Sequence, residues 1–494
     1  MNQLAKLDHR FVWHPFTQMR DWLKAEPTVI VAGRGAELRD VRGRKYLDAN
    51  SSIWTNLHGH NHPGINAAIR RQLGRIAHSS ALGLANEPAS LLARKLVGAA
   101  NPRSRRGNEE DGWLFGQSGS SPRRLQKVFF SDDGSTALEV ALKLAYEYSR
   151  RTGRSPKPKF LSLAGAYHGD TVGAVSLGHI DLFHKRYSGL LFRTDQVMSP
   201  YCYRCPFNRA RPERADARAY RQCNWECVSL VEKKFAAQKR KGNPYAAFIL
   251  EPRMQGAAGM IPQPPGWLRR VAEIARGHGA LLIADEVMTG FGRCGAGNCT
   301  PEGGTPDFLF ASQQEGVHPD FLCLAKGLTG GYLPMAATLT TQKVFRAFLG
   351  EYGEFKTFFH GHSYTANQLG ASAALASLDI LQCGKSIRAR QKLEKALSAE
   401  LQTLWSLPNV GDIRQVGLIA GIELVRDWRT RAPFALSERA GIRVCEAMAR
   451  RGVLTRPVGN VIVLMPPYCT TPQQARAMVD VLKTAIAAAF RSRT

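Results

Sequence analysis

The stretch Phe321-Leu-Cys-Leu-Ala-Lys326-Gly-Leu-Thr-Gly-Gly331 decides the reading of this chain. A short apolar run bounded by glycines predicts a buried strand opening into a tight turn, with Lys326 where the strand ends. Lysine is a poor core residue, because an ammonium taken out of water must be paired or neutralised. A lysine whose pKa falls on desolvation is also a nucleophile able to form an imine with a carbonyl compound. One lysine at a strand end is ordinary by itself, so its meaning depends on its neighbours.

Working outward, four more apolar runs end in polar chemistry. Lys127-Val-Phe-Phe130 leads to Ser131-Asp-Asp-Gly134-Ser135-Thr136 and a long amphipathic helix, Ala137 to Arg150. Lys159-Phe-Leu-Ser-Leu163 leads to Tyr167-His168-Gly-Asp-Thr171, Ala246-Ala-Phe-Ile-Leu250 to Glu251-Pro252, and Ala280-Leu-Leu-Ile-Ala284 to Asp285-Glu286. Helical segments, notably Gly266 to His278, lie between them. This alternation predicts an α/β domain whose mainly parallel sheet is covered on both faces, with ligands at the carboxyl ends of the strands. Strand, Gly-Ser-Thr turn and helix is also the geometry of an anion site, although a hydroxyl capping its own helix gives the same pattern.

The flanks differ in texture. Residues 1–75 show short glycine-punctuated runs, which suggest small strands. Residues 371–494 alternate helices with strand-like Leu418–Val425, Val453–Arg456 and Val461–Leu464, a smaller α+β domain expected to pack with the N-terminal segment. The large domain between them, residues 76–370, is expected to carry insertions at about 101–124, 201–228 and 294–317.

With 494 residues and 44% hydrophobic content the chain can bury a sizeable core. Lys+Arg 67 against Asp+Glu 40 gives a formal +27, but the charge is dispersed and has no nucleic-acid-binding signature beside it, so a solvated basic surface is expected. Ten cysteines form no secreted disulfide framework, and no run approaches a membrane span, so the cytoplasm is expected. Cys202-x2-Cys205 and Cys223-x3-Cys227 have a spacing that suits a structural zinc, with four reduced thiols as the alternative.

Taken together, Lys326, Asp285, Tyr167 and Gly134-Ser135 supply what pyridoxal phosphate needs: an amine to hold its aldehyde, a carboxylate for its ring nitrogen, an aromatic face and an anion site. Asp285-Glu-Val-Met-Thr-Gly-Phe-Gly-Arg293, followed by Pro319-Asp-Phe-Leu-Cys-Leu-Ala-Lys326-Gly, resembles the signature of class III aminotransferases of the fold-type-I group. Trp13-His-Pro-Phe-Thr-Gln-Met, Ser51-Ser-Ile-Trp54, Tyr167-His-Gly-Asp-Thr and Leu464-Met-Pro-Pro-Tyr468 are similar to the branch that forms diaminopelargonic acid from 8-amino-7-oxononanoate in biotin biosynthesis.

The resemblance implies a seven-stranded sheet in the large domain. It also implies that Lys326 holds the cofactor as an imine and carries the reaction's proton, that Asp285 pairs with the ring nitrogen, and that Gly134 and Ser135 bind phosphate. His362 and Ser363 would join them from a loop, Phe359 to Asn367, that reaches across from the partner of a homodimer. Phe16, Trp54, Tyr167 and Gly361 would line the substrate pocket, and Arg456 would bind the keto acid's carboxylate.

Well-known members have a tyrosine where Phe16 stands and an aromatic where Val463 stands, so fewer hydrogen bonds await a polar donor. Most of that branch take the amino group from S-adenosylmethionine. A group resembling this chain at Phe16-Thr-Gln-Met and Thr357-Phe-Phe-His-Gly-His-Ser-Tyr364 takes it from lysine. Two alternatives stay open: another omega-amino-acid aminotransferase, of the ornithine, 4-aminobutyrate or lysine kind, and a basic nucleic-acid-binding protein on a degenerate aminotransferase fold. Loss of Lys326 or Asp285 would mark the second, and both are present.

Overall fold

The structure, a computed structural model, describes residues 1–101, 123–210, 221–295 and 308–490. Most of the insertions expected at 101–124 and 294–317, and the middle of that at 201–228, lie outside the described residues.

Apolar runs too short for helices and bounded by turn residues become the strands of one seven-stranded sheet. Its order from edge to edge is Leu125–Ser131, Ala336–Thr341, Phe321–Leu324, Leu281–Asp285, Tyr245–Leu250, Lys159–Leu163 and Asp195–Val197. Ala336–Thr341 runs antiparallel to both neighbours and the remaining pairs are parallel. Every residue of Tyr245–Leu250, Leu281–Asp285 and Phe321–Leu324 is buried, as a sheet covered on both faces requires. Alternate side chains go to opposite layers. Ile249, Ile283, Phe321 and Cys323 pack under the helix Gly134–Arg151, whereas Phe248, Leu250 and Leu282 pack with Trp267, Leu268, Val271 and Ala275 of the helix Trp267–Gly277.

A second sheet pairs Val410–Val416, Ile419–Asp427, Val461–Leu464 and Pro457–Val458, and is accompanied by the helices Gly384–Gln402, Ala440–Ala449 and Pro472–Phe490. The N-terminal segment forms three antiparallel strands, Ile30–Arg34, Glu37–Asp40 and Lys45–Asp48. Val453–Leu454 joins them in parallel, with Val453 opposite Leu47 and Leu454 opposite Asp48. That pairing brings the chain after Asp48 and the chain after Leu454 to the same region. Among the described residues no helix is long and apolar enough to cross a membrane.

Candidate active site

The carboxyl ends of the parallel strands converge: Ser131 leads to Gly134, Leu163 to Tyr167 and His168, and Leu250 to Glu251, while Asp285 ends its own strand and Leu324 leads to Lys326. Lys326 opens a 3-10 turn with φ of 42°, and its Nζ lies 5.2 Å from the centre of the Trp54 ring. Burial holds its ammonium below the ordinary lysine value, opposed by the charges of Asp285 and Glu251.

Asp285 is 5% exposed and accepts hydrogen bonds from His168 Nδ1 at 2.7 Å and from the Val287 N–H at 3.1 Å. The imidazole is buried with no partner on Nε2, so the Asp285 bond fixes the ring's orientation.

Gly134 and Ser135 begin an 18-residue helix whose cap is Asp133 paired reciprocally with Thr136. Thr136 serves the cap, so Ser135 takes no part in it. Ser135 Oγ lies 2.8 Å from Thr171 Oγ1 and accepts the Thr171 N–H at 2.9 Å. A side chain at Gly134 would come within 2.6 Å of Val287, and one at Gly169 within 2.4 Å of Ser135 Oγ. The glycines thus keep a shallow backbone cradle at a helix N-terminus, which suits a phosphate.

Trp54 ends a single left-handed helical turn. Ser51, Ser52, Ile53 and Trp54 have φ of 48°, 48°, 61° and 70°, a conformation unfavourable for every non-glycine residue and most of all for branched Ile53. Asp48 anchors the turn by accepting from the N–H groups of Asn50 and Ser52, from Ser52 Oγ and from His60 Nε2. On the other side, a Cβ at Gly331 would stand 2.8 Å from the Asn56 nitrogen. Gly331 is required because the Thr55-Asn56 backbone passes directly over it, bringing Trp54 to the lysine.

Tyr167 donates to Asp170 Oδ2 at 2.6 Å and stacks on His184, with ring centres 6.3 Å apart. Phe183 bridges it to Phe16, which is 58% exposed, and the Phe16 carbonyl accepts from Arg456 Nη2 at 3.3 Å. Arg456 is exposed. Gly361, His362 and Ser363 lie on a loop bearing Phe359 and Tyr364, which are 74% and 63% exposed. Within the chain, His362 Nδ1 is 3.4 Å from Asp132, two residues before Gly134.

The four cysteines of the zinc candidate lie near one another, since Cys205, Cys223 and Cys227 each act on the Cys202 thiol. Among the described residues no group of three His, Cys, Asp or Glu side chains is placed to hold a metal ion. Arg221 donates to Cys223 at 3.3 Å, the Cys202 thiol points at the Pro200 carbonyl, and burial, followed by the neighbouring thiols of the cluster, pushes the Cys202 and Cys227 thiols up to about 12 and about 11. Among the residues that follow Trp54, His58 pairs with Ser377, His60 with Asp48, and His62 caps the helix Pro63–Leu73.

Sequence reasoning gave no role to His168 as the partner of Asp285, to Glu251, or to Asp48 as the anchor of Trp54. For Glu251 the signal was present, since it ends an apolar strand just as Asp285 does.

An amine of lowered basicity, a buried carboxylate braced by an imidazole, a glycine cradle at a helix N-terminus, and an indole whose Nε1 lacks a partner together fit pyridoxal phosphate. Residues 20–486 match the family model for class III aminotransferases. A relative from Geobacter sulfurreducens, named adenosylmethionine-8-amino-7-oxononanoate aminotransferase, is 45% identical over 98% of this chain and 97% of its own. The crystal structure of the enzyme of that name from Methanocaldococcus jannaschii superposes with a TM-score of 0.85 at 39% identity, covering 99% of both chains. An amine transaminase from an uncultivated Pseudomonas species, with pyridoxal phosphate bound, superposes with a TM-score of 0.82 at 33% identity, covering 97% of this chain and 98% of the other. The chain belongs to the class III aminotransferases, a family of pyridoxal-phosphate-dependent enzymes.

Proposed function

We propose that this aminotransferase converts 8-amino-7-oxononanoate to 7,8-diaminononanoate, the biotin-pathway reaction, with S-adenosylmethionine or lysine as amino donor. The observation that carries the substrate is the 45% identity, spread over nearly the whole of both chains, to a relative named for that keto acid.

The cofactor supplies an aldehyde that carries the amino group and a ring that takes up electrons. Lys326 receives and returns a proton at the substrate carbon, a task suited to an amine whose basicity burial has lowered. Asp285, held by His168, keeps a proton on the ring nitrogen. Gly134 and Ser135 bind the phosphate at the helix N-terminus, joined by His362 and Ser363 of a second subunit. Trp54 and Tyr167 wall the pocket, Phe16 and Gly361 border it, and Arg456 binds the substrate carboxylate.

Phe16 presents a ring without a phenol to the amino donor, and its carbonyl is already engaged by Arg456. That absence supports lysine over the more polar S-adenosylmethionine. The exposed Phe355, Phe359 and Tyr364 around Gly361 to Ser363 support a homodimer that covers them. The nine described cysteines are all free, which supports a cytoplasmic setting.

The test is turnover of 8-amino-7-oxononanoate against a panel of donors. Product with lysine alone selects the lysine reading, product with S-adenosylmethionine alone removes it, and product with neither overturns the substrate.

A further inference from the structure

Leu250 pairs with Ala284 in parallel register, so the next residues, Glu251 and Asp285, stand side by side at the strand ends. Both are buried, at 6% and 5% exposed. Two neighbouring carboxyl groups out of water do not both ionise, and the charge settles where donors are better placed. Asp285 has two, the His168 Nδ1–H and the Val287 N–H. Glu251 has the Gly256 N–H on Oε2 at 2.9 Å, while its Oε1 is buried with no hydrogen-bond partner.

We propose that Glu251 is a positioning residue held beside Asp285 as a neutral carboxylic acid, and that its proton sets the charge this pair presents to Lys326: one anion while the proton is kept, two once it is lost. This rests on the reading of Asp285 and Lys326 as the cofactor's partners. The groups that face Glu251 are Asp285 on the adjacent strand, His168 from the loop after Leu163, and Lys326 from the turn after Leu324. Burial, and then the Asp285 charge, push the Glu251 carboxyl up to about 7. With one anion nearby the Lys326 ammonium gives up its proton more readily, and a second anion holds it. Activity that depends on neutral Lys326 is thereby tied to a carboxyl group that titrates near neutrality.

The experiment is an infrared pH titration of the cofactor-free protein, with Glu251→Gln as the reference because an amide mimics the neutral acid. We expect the band of a protonated buried carboxyl to disappear with a midpoint near pH 7, to be missing from E251Q, and to move to lower pH in Asp285→Asn. Glu286, the other buried carboxyl pushed up to about 7, keeps its band in E251Q and serves as the internal control. With pyridoxal phosphate bound, the pH midpoint of its visible absorbance change falls by about one unit in E251Q, the size expected for removing one nearby charge in a partly screened site.

Infrared spectra of E251Q and wild type that coincide between about pH 5 and about pH 9 overturn the proposal. An infrared difference without any binding of pyridoxal phosphate leaves the protonated Glu251 standing and overturns the cofactor reading instead. Should E251Q not fold, the shift is read in D285N with Glu286→Gln added, because the Asp285 charge also raises Glu286; a downward shift that persists there decides the matter, and an unmoved midpoint refutes the coupling.

Discussion

Replacing Asp48 with alanine tests how the protein holds Trp54 against Lys326. The left-handed turn Ser51 to Trp54 costs about 1–2 kcal/mol per residue, so roughly 4–8 kcal/mol over its four residues. Asp48 accepts four hydrogen bonds, from the Asn50 and Ser52 N–H groups at 3.1 and 3.2 Å, Ser52 Oγ at 3.0 Å and His60 Nε2 at 2.9 Å. Bonds to a charged group contribute about 1.5–3 kcal/mol each, roughly 6–12 kcal/mol together. The anchor and the strain are therefore of the same size. Burial by itself would raise the Asp48 carboxyl, but His60 and the Ser52 N–H hold it below its usual value, so the anchor is an anion at neutral pH. Without it the turn relaxes to a right-handed or extended path and the indole leaves the lysine. We expect kcat/KM of Asp48→Ala to fall by at least about 10³-fold, since the low end of the unopposed strain, about 4 kcal/mol, is roughly three decades at 1.4 kcal/mol each. Asp48→Asn, which keeps an acceptor but no charge, should fall by about tenfold. The double variant D48A/W54A should be no worse than Trp54→Ala, because a residue that acts only through Trp54 has nothing left to position. Additive losses in the double variant, or a D48A enzyme within about threefold of wild type, would refute the reasoning.

Lys326→Ala should keep its fold by circular dichroism yet lose turnover by at least about 10⁴-fold, and normal turnover would overturn the assignment of the site. Arg456→Ala should raise KM for the keto acid about 10–100-fold with kcat nearly unchanged, as expected for a group that binds a distant carboxylate; an equal fall in kcat would show contact at the reacting end. Arg414 is buried and contacts Asp412, Glu423, the Tyr201 hydroxyl and the Gly259 carbonyl. Arg414→Ala takes a buried cation from Asp412 and Glu423, the latter keeping Arg204, and should lower stability by about 3 kcal/mol, the low end for losing one partner of a buried pair, measured by denaturant melts. Burial would raise Glu423, but Arg414 and Arg204 hold it below its usual value, so its contribution is present above the unfolded value of 4.5 and is lost as pH falls below it. The acid limb of the stability curve should therefore flatten in Glu423→Gln, and an unchanged limb would assign acid sensitivity elsewhere.

What the sequence made legible follows from local rules. Lys159–Leu163 and Val461–Leu464 appear as read, and Phe321–Leu324 and Leu281–Asp285 differ by a residue, because uninterrupted apolar runs ending in turn residues leave little choice. Asp195–Val197 escaped because three residues carry no periodicity, and Ala336–Thr341 because Ala-Ala-Thr-Leu-Thr-Thr has few large apolar side chains and owes its burial to its two antiparallel neighbours and the layers packed on its faces. Lys326 and Asp285 were readable since each is a charge set directly after an apolar strand. The left-handed turn was not, since Ser-Ser-Ile-Trp contains no glycine and nothing local favours positive φ; the conformation is imposed by Asp48 and by the Gly330-Gly331 passage packed over it.

These failures lie where two distant segments meet, and so does the specificity of the site. The sheet alone supplies a lysine, a carboxylate and an anion cradle, the parts any aldehyde cofactor of this kind requires. The groups proposed to choose a substrate come from elsewhere: Trp54 from the N-terminal segment, Arg456 from just beyond Val453–Leu454, and Phe16 from before the first strand. Val453–Leu454 pairing with Leu47 and Asp48 ties these segments together, and the Arg456 bond to the Phe16 carbonyl draws the same segments together at the pocket's rim. Substitutions in this N-terminal and C-terminal frame should therefore change which amine is used while leaving cofactor binding intact, whereas those at the strand ends should remove the chemistry for every donor alike.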